Sequence, residues 1–169
     1  MNVKRQMAIL ILFLISAIVL VLVQISSTLN QRVTREFRKM ETAKIKIVND
    51  EDKILELEVR IADEPDERAA GFQNISRSVV EKTLILFIFP EEGYVFFHMR
   101  NVEASLDIAF IKADGRIIEI MRMDPDPNRL YAPNESFKYA IEAPLGFFQS
   151  KKITVGKSRL IVESIPEEN

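Results

Sequence analysis

Asp107 stands in a run, residues 106–111, whose alternation places it on one strand face with Ala109 and Ile111, so its carboxylate is expected over apolar neighbours. A carboxylate in that setting costs several kcal/mol or takes up a proton unless a partner compensates it. Arg68 and Arg100 are the expected cations, one from a short helix and one from a strand end just before Asp107. With Asn101 and Glu142 they make up the candidate site: Arg68, Arg100, Asn101, Asp107 and Glu142. Two kinds of chemistry fit this set. One is an anion-recognising or acid–base pocket; the other, which we favour at this level, is a buried ion pair that fixes sheet register. Glu142 is the weakest member, expected to point from an edge strand into water.

His98 is the only histidine. Among Phe96, Phe97 and Met99 it reads first as a packed or hydrogen-bonded sheet residue and second as a catalytic base or metal ligand; the rival reading of the whole chain is a small hydrolase or isomerase that uses Asp107 with His98 or an arginine. Without a second histidine or any cysteine, the common zinc sites, thiol catalysis and a disulfide framework are excluded, and no metal or other cofactor is expected. No Gly-x-Ser-x-Gly elbow frames a serine, and the five glycines stand too far apart to cradle phosphate. Asp124, Asp126, Asn128 and Glu135 fall at calcium-loop positions, but Arg129 replaces the required glycine and Pro125 and Pro127 stiffen the segment. A rigid exposed loop, able to wall a binding cleft, is the better reading.

The elements that must position these groups read as short strands. Leu55, Leu57, Val59 and Ile61 alternate with Glu56, Glu58 and Arg60, and Ile45 and Ile47 begin a similar run. Residues 84–89 are continuously apolar up to Pro90, and residues 94–99 follow Glu91-Glu92-Gly93, which predicts a hairpin in the sheet core. A second hairpin is predicted from residues 106–112 and 116–123 around Asp114-Gly115, a dipeptide suited to positive backbone angles. Residues 138–143, 153–155 and 158–163 complete roughly eight to ten strands, enough for two stacked sheets or a barrel. Helix is expected only at 65–72, opened by Pro65 among acidic residues, and as one turn near 145–150.

The order of these pieces is informative. Asp66-Glu67-Arg68-Ala69-Ala70-Gly71, Phe87-Ile88-Phe89-Pro90, Phe97-His98-Met99-Arg100-Asn101, Leu106-Asp107-Ile108-Ala109-Phe110 with Asp114-Gly115-Arg116, and Ile141-Glu142-Ala143-Pro144 with Gly146 resemble the domain of unknown function 192 family (uncharacterised protein family 0127). The resemblance spans residues 57–162. It implies an all-β, jelly-roll-like sandwich or partly open barrel with few short helices, frequently exported or tethered, with no established activity and no known cofactor. The chain departs from the family pattern at His98, where Trp is usual, and at Arg100, Phe72-Gln73 and Leu84.

At the N-terminus, residues 7–23 form an uncharged apolar run behind Lys4 and Arg5. Extended through Ile25, it makes a helix of about 28 Å, close to the roughly 30 Å of a hydrocarbon core. An uncleaved signal anchor is expected in preference to a signal peptide. The run is longer than the roughly 7 to 15 residues of a signal core, and Gln24-Ile25-Ser26-Ser27 is a poor cleavage site. The expected layout is a cytoplasmic head (1–6), a transmembrane helix (7–25), a juxtamembrane stalk (26–43) and a β-rich domain outside the cytoplasm (44–169). In the stalk, Leu29, Val33, Phe37 and Met40 share a helical face among Arg32, Arg35, Arg38 and Lys39. Those cations would meet anionic headgroups, or the segment would be a solvated stalk whose apolar positions rest on the domain. A formal net charge of −2 with scattered basic residues makes nucleic acid an unlikely partner class. The sequence thus leads to a membrane-anchored envelope domain that binds a small polar ligand or a neighbouring protein, ahead of a purely structural envelope role.

Overall fold

The computed structural model describes residues 3–29 and 31–166, with side chains in the first helix described at 6, 7 and 9–21. It divides into two units, Met1–Arg32 and Val33–Asn169. The first unit is one helix, α1 (Val3–Leu29). Among the described residues no helix is long and apolar enough to cross a membrane. The expected span at 7–25 is therefore helical without being shown as transmembrane, and the side chains at 22–25 lie outside the described residues.

The second unit is built on a seven-stranded sheet. Its strands are β1 (Thr42–Val48), β2 (Ile54–Ala62), β3 (Ile85–Gly93), β5 (Leu106–Ile111), β6 (Ile117–Met123), β8 (Phe137–Pro144) and β9 (Arg159–Ile161). They lie in the order β6-β5-β8-β3-β2-β1-β9. A two-stranded sheet pairs β4 (Phe97–His98) with β7 (Leu130–Tyr131). The large sheet curls until its edges touch: Arg116 beside β6 bridges Arg159 of β9, and the Leu160 N–H donates to the Gly115 carbonyl at 2.8 Å. This half-barrel corrects the stacked-sheet version of the expected sandwich and keeps the partly open barrel. The physical reason is burial on both faces. All six residues of β5 are buried, and so are both parities of β8, as in central strands covered above and below.

The inner face carries Ile45, Ile47, Val59, Leu86, Ile141 and Leu160. The outer face carries Ile85, Phe87, Ile108, Phe110 and Phe137. Its phenyl rings meet edge to face, with Phe87 and Phe97 centroids 5.1 Å apart and Phe110 and Phe137 4.9 Å apart, the arrangement the ring quadrupole favours. The outer face is closed by the small sheet and by α2 (Arg35–Lys39), α3 (Pro65–Ala70) and α4 (Arg77–Val80). A fourth short helix, α5 (Phe147–Ser150), stands at the end of β8.

The hairpin predicted from 84–89 and 94–99 is absent. β3 runs through Pro90, pairs parallel with β2 and antiparallel with β8, and breaks register between Ile88 and Gly93. Proline has no N–H to give a ladder, and a register break is where a strand tolerates it. Residues 153–155 form no strand. The stalk also ends sooner than expected. Thr34 caps α2 by accepting the Phe37 N–H at 3.2 Å, and Phe37 and Met40 are core residues at 2% exposure each, so the domain begins near Val33 rather than at 44.

Candidate functional site

β8 lies between β5 and β3, and its register settles which groups can meet. Glu142 is opposite Ile108 on one side and Ile85 on the other, all three on the outer face; Asp107 is opposite Ala143 on the inner face. The two carboxyl groups therefore point to opposite sides of the sheet. The expected edge-strand position of Glu142 is corrected with it: the side chain is 5% exposed. Burial, the only contributing cause, raises its pKa from 4.5 to about 8. At neutral pH Glu142 is a carboxylic acid, and its Oε2 has no hydrogen-bond partner.

Above Glu142 passes the end of α3. This helix forms because Pro65 opens its first turn and Asp66 and Glu67 complement its N-terminal dipole. It stops at Gly71, whose φ of +45° lies in the region glycine tolerates. A Cβ there would make ordinary contacts, 3.4 Å from the Phe87 ring and 3.7 Å from Glu142 Oε2, so the backbone angle rather than space calls for glycine where the chain roofs the acid. Beneath this roof is a cavity of about 220 Å³ walled by Phe72, Phe87, Phe89 and Phe97. Its polar groups include Arg68, His98 and Glu142. His98 Nδ1 is likewise buried without a partner. Four buried side-chain polar atoms lack partners among the described residues, and two of them belong to side chains of this one cavity. Such groups are rare in folded proteins and ask for an explanation.

Arg68 is held at the rim. Its guanidinium donates to the carbonyls of Asp63 and Ile88, the latter at 3.0 Å, and sits 5.7 Å from the Phe89 ring centroid. The other expected site residues are elsewhere. Asp107, partly hidden by Leu145 to Gln149, accepts the Gly146 N–H at 2.7 Å, with the Phe147 amide adding to it. Burial raises its pKa, and these amides with the charge of Arg122 act in the opposite direction. Asp107 thus anchors the turn that starts α5, and the ion pair expected with Arg68 or Arg100 is replaced by backbone N–H groups. It lines a different, more open cavity from His98, which separates the expected acid–base pair. Arg100 is exposed and donates to the Pro127 carbonyl at 3.3 Å. Asn101 takes a φ of 57° and its carbonyl accepts the Asn74 N–H at 2.8 Å, both turn-making roles. In the would-be calcium loop, Asp124 Oδ1 accepts from Arg122 and Ser105, each at 2.8 Å. Among the described residues no group of three or more His, Cys, Asp or Glu side chains is placed to hold a metal ion.

The structure therefore joins Arg68 and Glu142, brings in His98, and leaves out Arg100, Asn101 and Asp107. Gly71 and the phenyl walls escaped sequence reasoning. One signal was present: Ala140, Ile141 and Ala143 are apolar at both parities, which leaves Glu142 no wet face.

The family model of DUF192, uncharacterized ACR, matches residues 46–160. The chain belongs to this family. The matched span contains Arg68, Gly71, His98 and Glu142, so the whole cavity lies within the DUF192 domain. A UPF0127 protein of Pyrococcus abyssi (strain GE5 / Orsay) is 28% identical over 98 residues, covering 58% of this chain and 80% of that protein. Two crystal structures share the fold. A candidate transcription regulator from Sinorhizobium meliloti 1021 superposes with a TM-score of 0.67 at 23% identity, covering 75% of this chain and 97% of the other. A protein of unknown function from Novosphingobium aromaticivorans DSM 12444 gives 0.66 at 16% identity, covering 77% and 91%. At these identities the likeness is one of fold.

Proposed function

We propose that this DUF192 chain is a membrane-tethered binding domain whose ligand site is the phenyl-walled cavity under α3. The observation that carries the reading is that Glu142 and His98, whose Oε2 and Nδ1 are buried without a partner, both line one concave, largely apolar cavity. Apolar walls with a few convergent polar groups are the usual composition of a small-molecule site. Either atom left bare costs free energy in the empty protein, and a ligand that hydrogen-bonds them recovers it. The ligand this favours is a small molecule with an apolar body and a polar tip.

The tether is the apolar run at 7–25, with the head inside and the domain on the outer side of the membrane. α2 supports contact with anionic headgroups: it turns Phe37 into the core and leaves Arg35, Arg38 and Lys39 on the exposed side, although Lys39 also pairs with Asp66 at 3.3 Å. The test is identification of small molecules released from the detergent-extracted chain, compared with an Ala70→Phe variant that fills the cavity. A compound enriched on the native chain and lost from the variant is the expected result. Identical extracts from both, together with an unperturbed His98 ring resonance on adding cavity-sized aromatic compounds, would sink the proposal.

A further inference from the structure

We infer that the cavity under α3 takes a small organic cation, an ammonium or methylated ammonium carried on an apolar body, with Glu142 as its counter-charge and the phenyl rings as its walls. This rests on the binding-site reading above and names the ligand class.

The protein itself supplies no counter-charge to this acid. Glu142 is almost wholly enclosed, and no arginine, lysine or backbone N–H reaches its Oε2. Burial alone acts on its ionisation, so even Arg68 at the rim leaves the carboxyl electrostatically uncompensated. Arg68 is turned to the carbonyls of Asp63 and Ile88 instead. A buried carboxyl without a cation is complete only as the neutral acid, or when a cation arrives from outside. Phenyl faces are negative and attract cations, most strongly when both are withdrawn from water. One wall already does so, since the Arg68 guanidinium stacks near Phe89. An anionic ligand would meet the Arg68 guanidinium at the rim, but that group is already turned to two carbonyls, and inside the anion would face the phenyl rings and an acid that becomes negative as pH rises. A neutral ligand would use the hydrogen-bonding capacity and leave the charge capacity idle.

The binding step is a proton exchange. The cation enters, the Glu142 O–H bond breaks, its proton leaves to solvent, and the carboxylate pairs with the cation. The charged or titratable groups around the cavity are Arg68 from α3, His98 from β4 and Glu142 from β8; β3 contributes phenyl groups only. Because Glu142 ionises near pH 8, affinity for a permanently charged cation should rise about tenfold per pH unit between pH 6 and 7 and level off above about 8.

The experiment titrates the full-length chain in detergent with benzyltrimethylammonium, benzyl alcohol and benzoate, by calorimetry at pH 6, 7 and 8.5. The expected result is preferential binding of the cation, close to one proton released per cation at pH 6, and the stated rise in affinity. Glu142→Gln should weaken the cation at least tenfold at pH 8.5, abolish the pH dependence and leave benzyl alcohol binding in place. If benzyl alcohol or benzoate binds as well as the cation and Glu142→Gln changes nothing, the cation inference is overturned while the binding site stands. If none of the three binds and Ala70→Phe gives the same heats as the native chain, both fall.

Discussion

Glu142→Gln also tests the electrostatic basis of the site without any ligand. Glu142 titrates near 4.5 when unfolded and near 8 when folded, so between these values the folded state holds a proton that the unfolded state has lost. The contribution of this group to stability is complete below about pH 4.5 and falls as pH rises through the window to about 8. At about 1.4 kcal/mol per unit, the full loss is about 5 kcal/mol, with about 3 kcal/mol already gone at pH 7. This is an upper limit, since water entering the cavity would relax part of the desolvation. Glutamine has the same shape and never ionises, so any cost of its amide is constant with pH. Urea unfolding of the full-length chain in detergent, native against Glu142→Gln at pH 5, 7 and 9, cancels every other titrating group. The variant should gain on the native chain by several kcal/mol from pH 5 to pH 9. A gap that stays constant over that range would mean Glu142 is solvated or paired, and the reasoning about the site would fail with it.

Asp107→Ala should destabilise the chain by about 1–3 kcal/mol in the same assay, because the half-buried Gly146 N–H loses its acceptor; Asp107→Asn, which keeps an acceptor oxygen, should cost less. Equal losses from the two would indicate that charge, not hydrogen bonding, is what Asp107 provides. Phe37→Ala should cost about 3–5 kcal/mol, since this ring lies 6.0 Å from Phe72 and carries the Arg60 guanidinium on its face at 4.6 Å. A change under 0.5 kcal/mol would return α2 to the status of a stalk. Gly115→Ala places a Cβ 2.1 Å from the Leu160 carbonyl oxygen at a φ of +85°, and should lower stability by about 2–4 kcal/mol while opening the contact between β6 and β9. Slow amide exchange at Leu160 in that variant would contradict the closure.

Local chemistry was legible where a residue type dictates a backbone shape. Asp114-Gly115 does turn β5 into β6, with the Gly115 N–H donating to the Lys112 carbonyl at 3.0 Å, and Pro65 does open a helix. The alternation of β1 and β2 also placed their inward residues correctly, because each has one wet face. Pairing between distant segments was not legible. Nothing in residues 84–89 says that β3 joins β2 in parallel and β8 antiparallel, since a continuously apolar strand carries no register of its own. The site misreading has the same origin. Asp107 and Glu142 look interchangeable on paper, and only the one-residue offset between them in the β5–β8 ladder sends one inward and the other outward.

That offset also explains why the two carboxyls end so differently. On the inner face the chain turns at Gly146, and its free N–H groups reach Asp107, so the acid is used up in holding the turn. On the outer face the cover over Glu142 is a helix end that stops at Gly71, side chains of β4 and phenyl rings, none of which brings an N–H to Oε2. A well-packed apolar residue at 142 would remove the desolvation cost, as replacement of buried charges by hydrophobic groups often does. The fold tolerates the acid because the phenyl cluster around Phe97 and Phe137 offsets it, and because Arg68 ties the roof down through carbonyls instead of reaching for the carboxyl. Arg68 is on this account a positioning residue: it fixes the distance between α3 and β3, and with it the height of the cavity in which Glu142 stays unpaired.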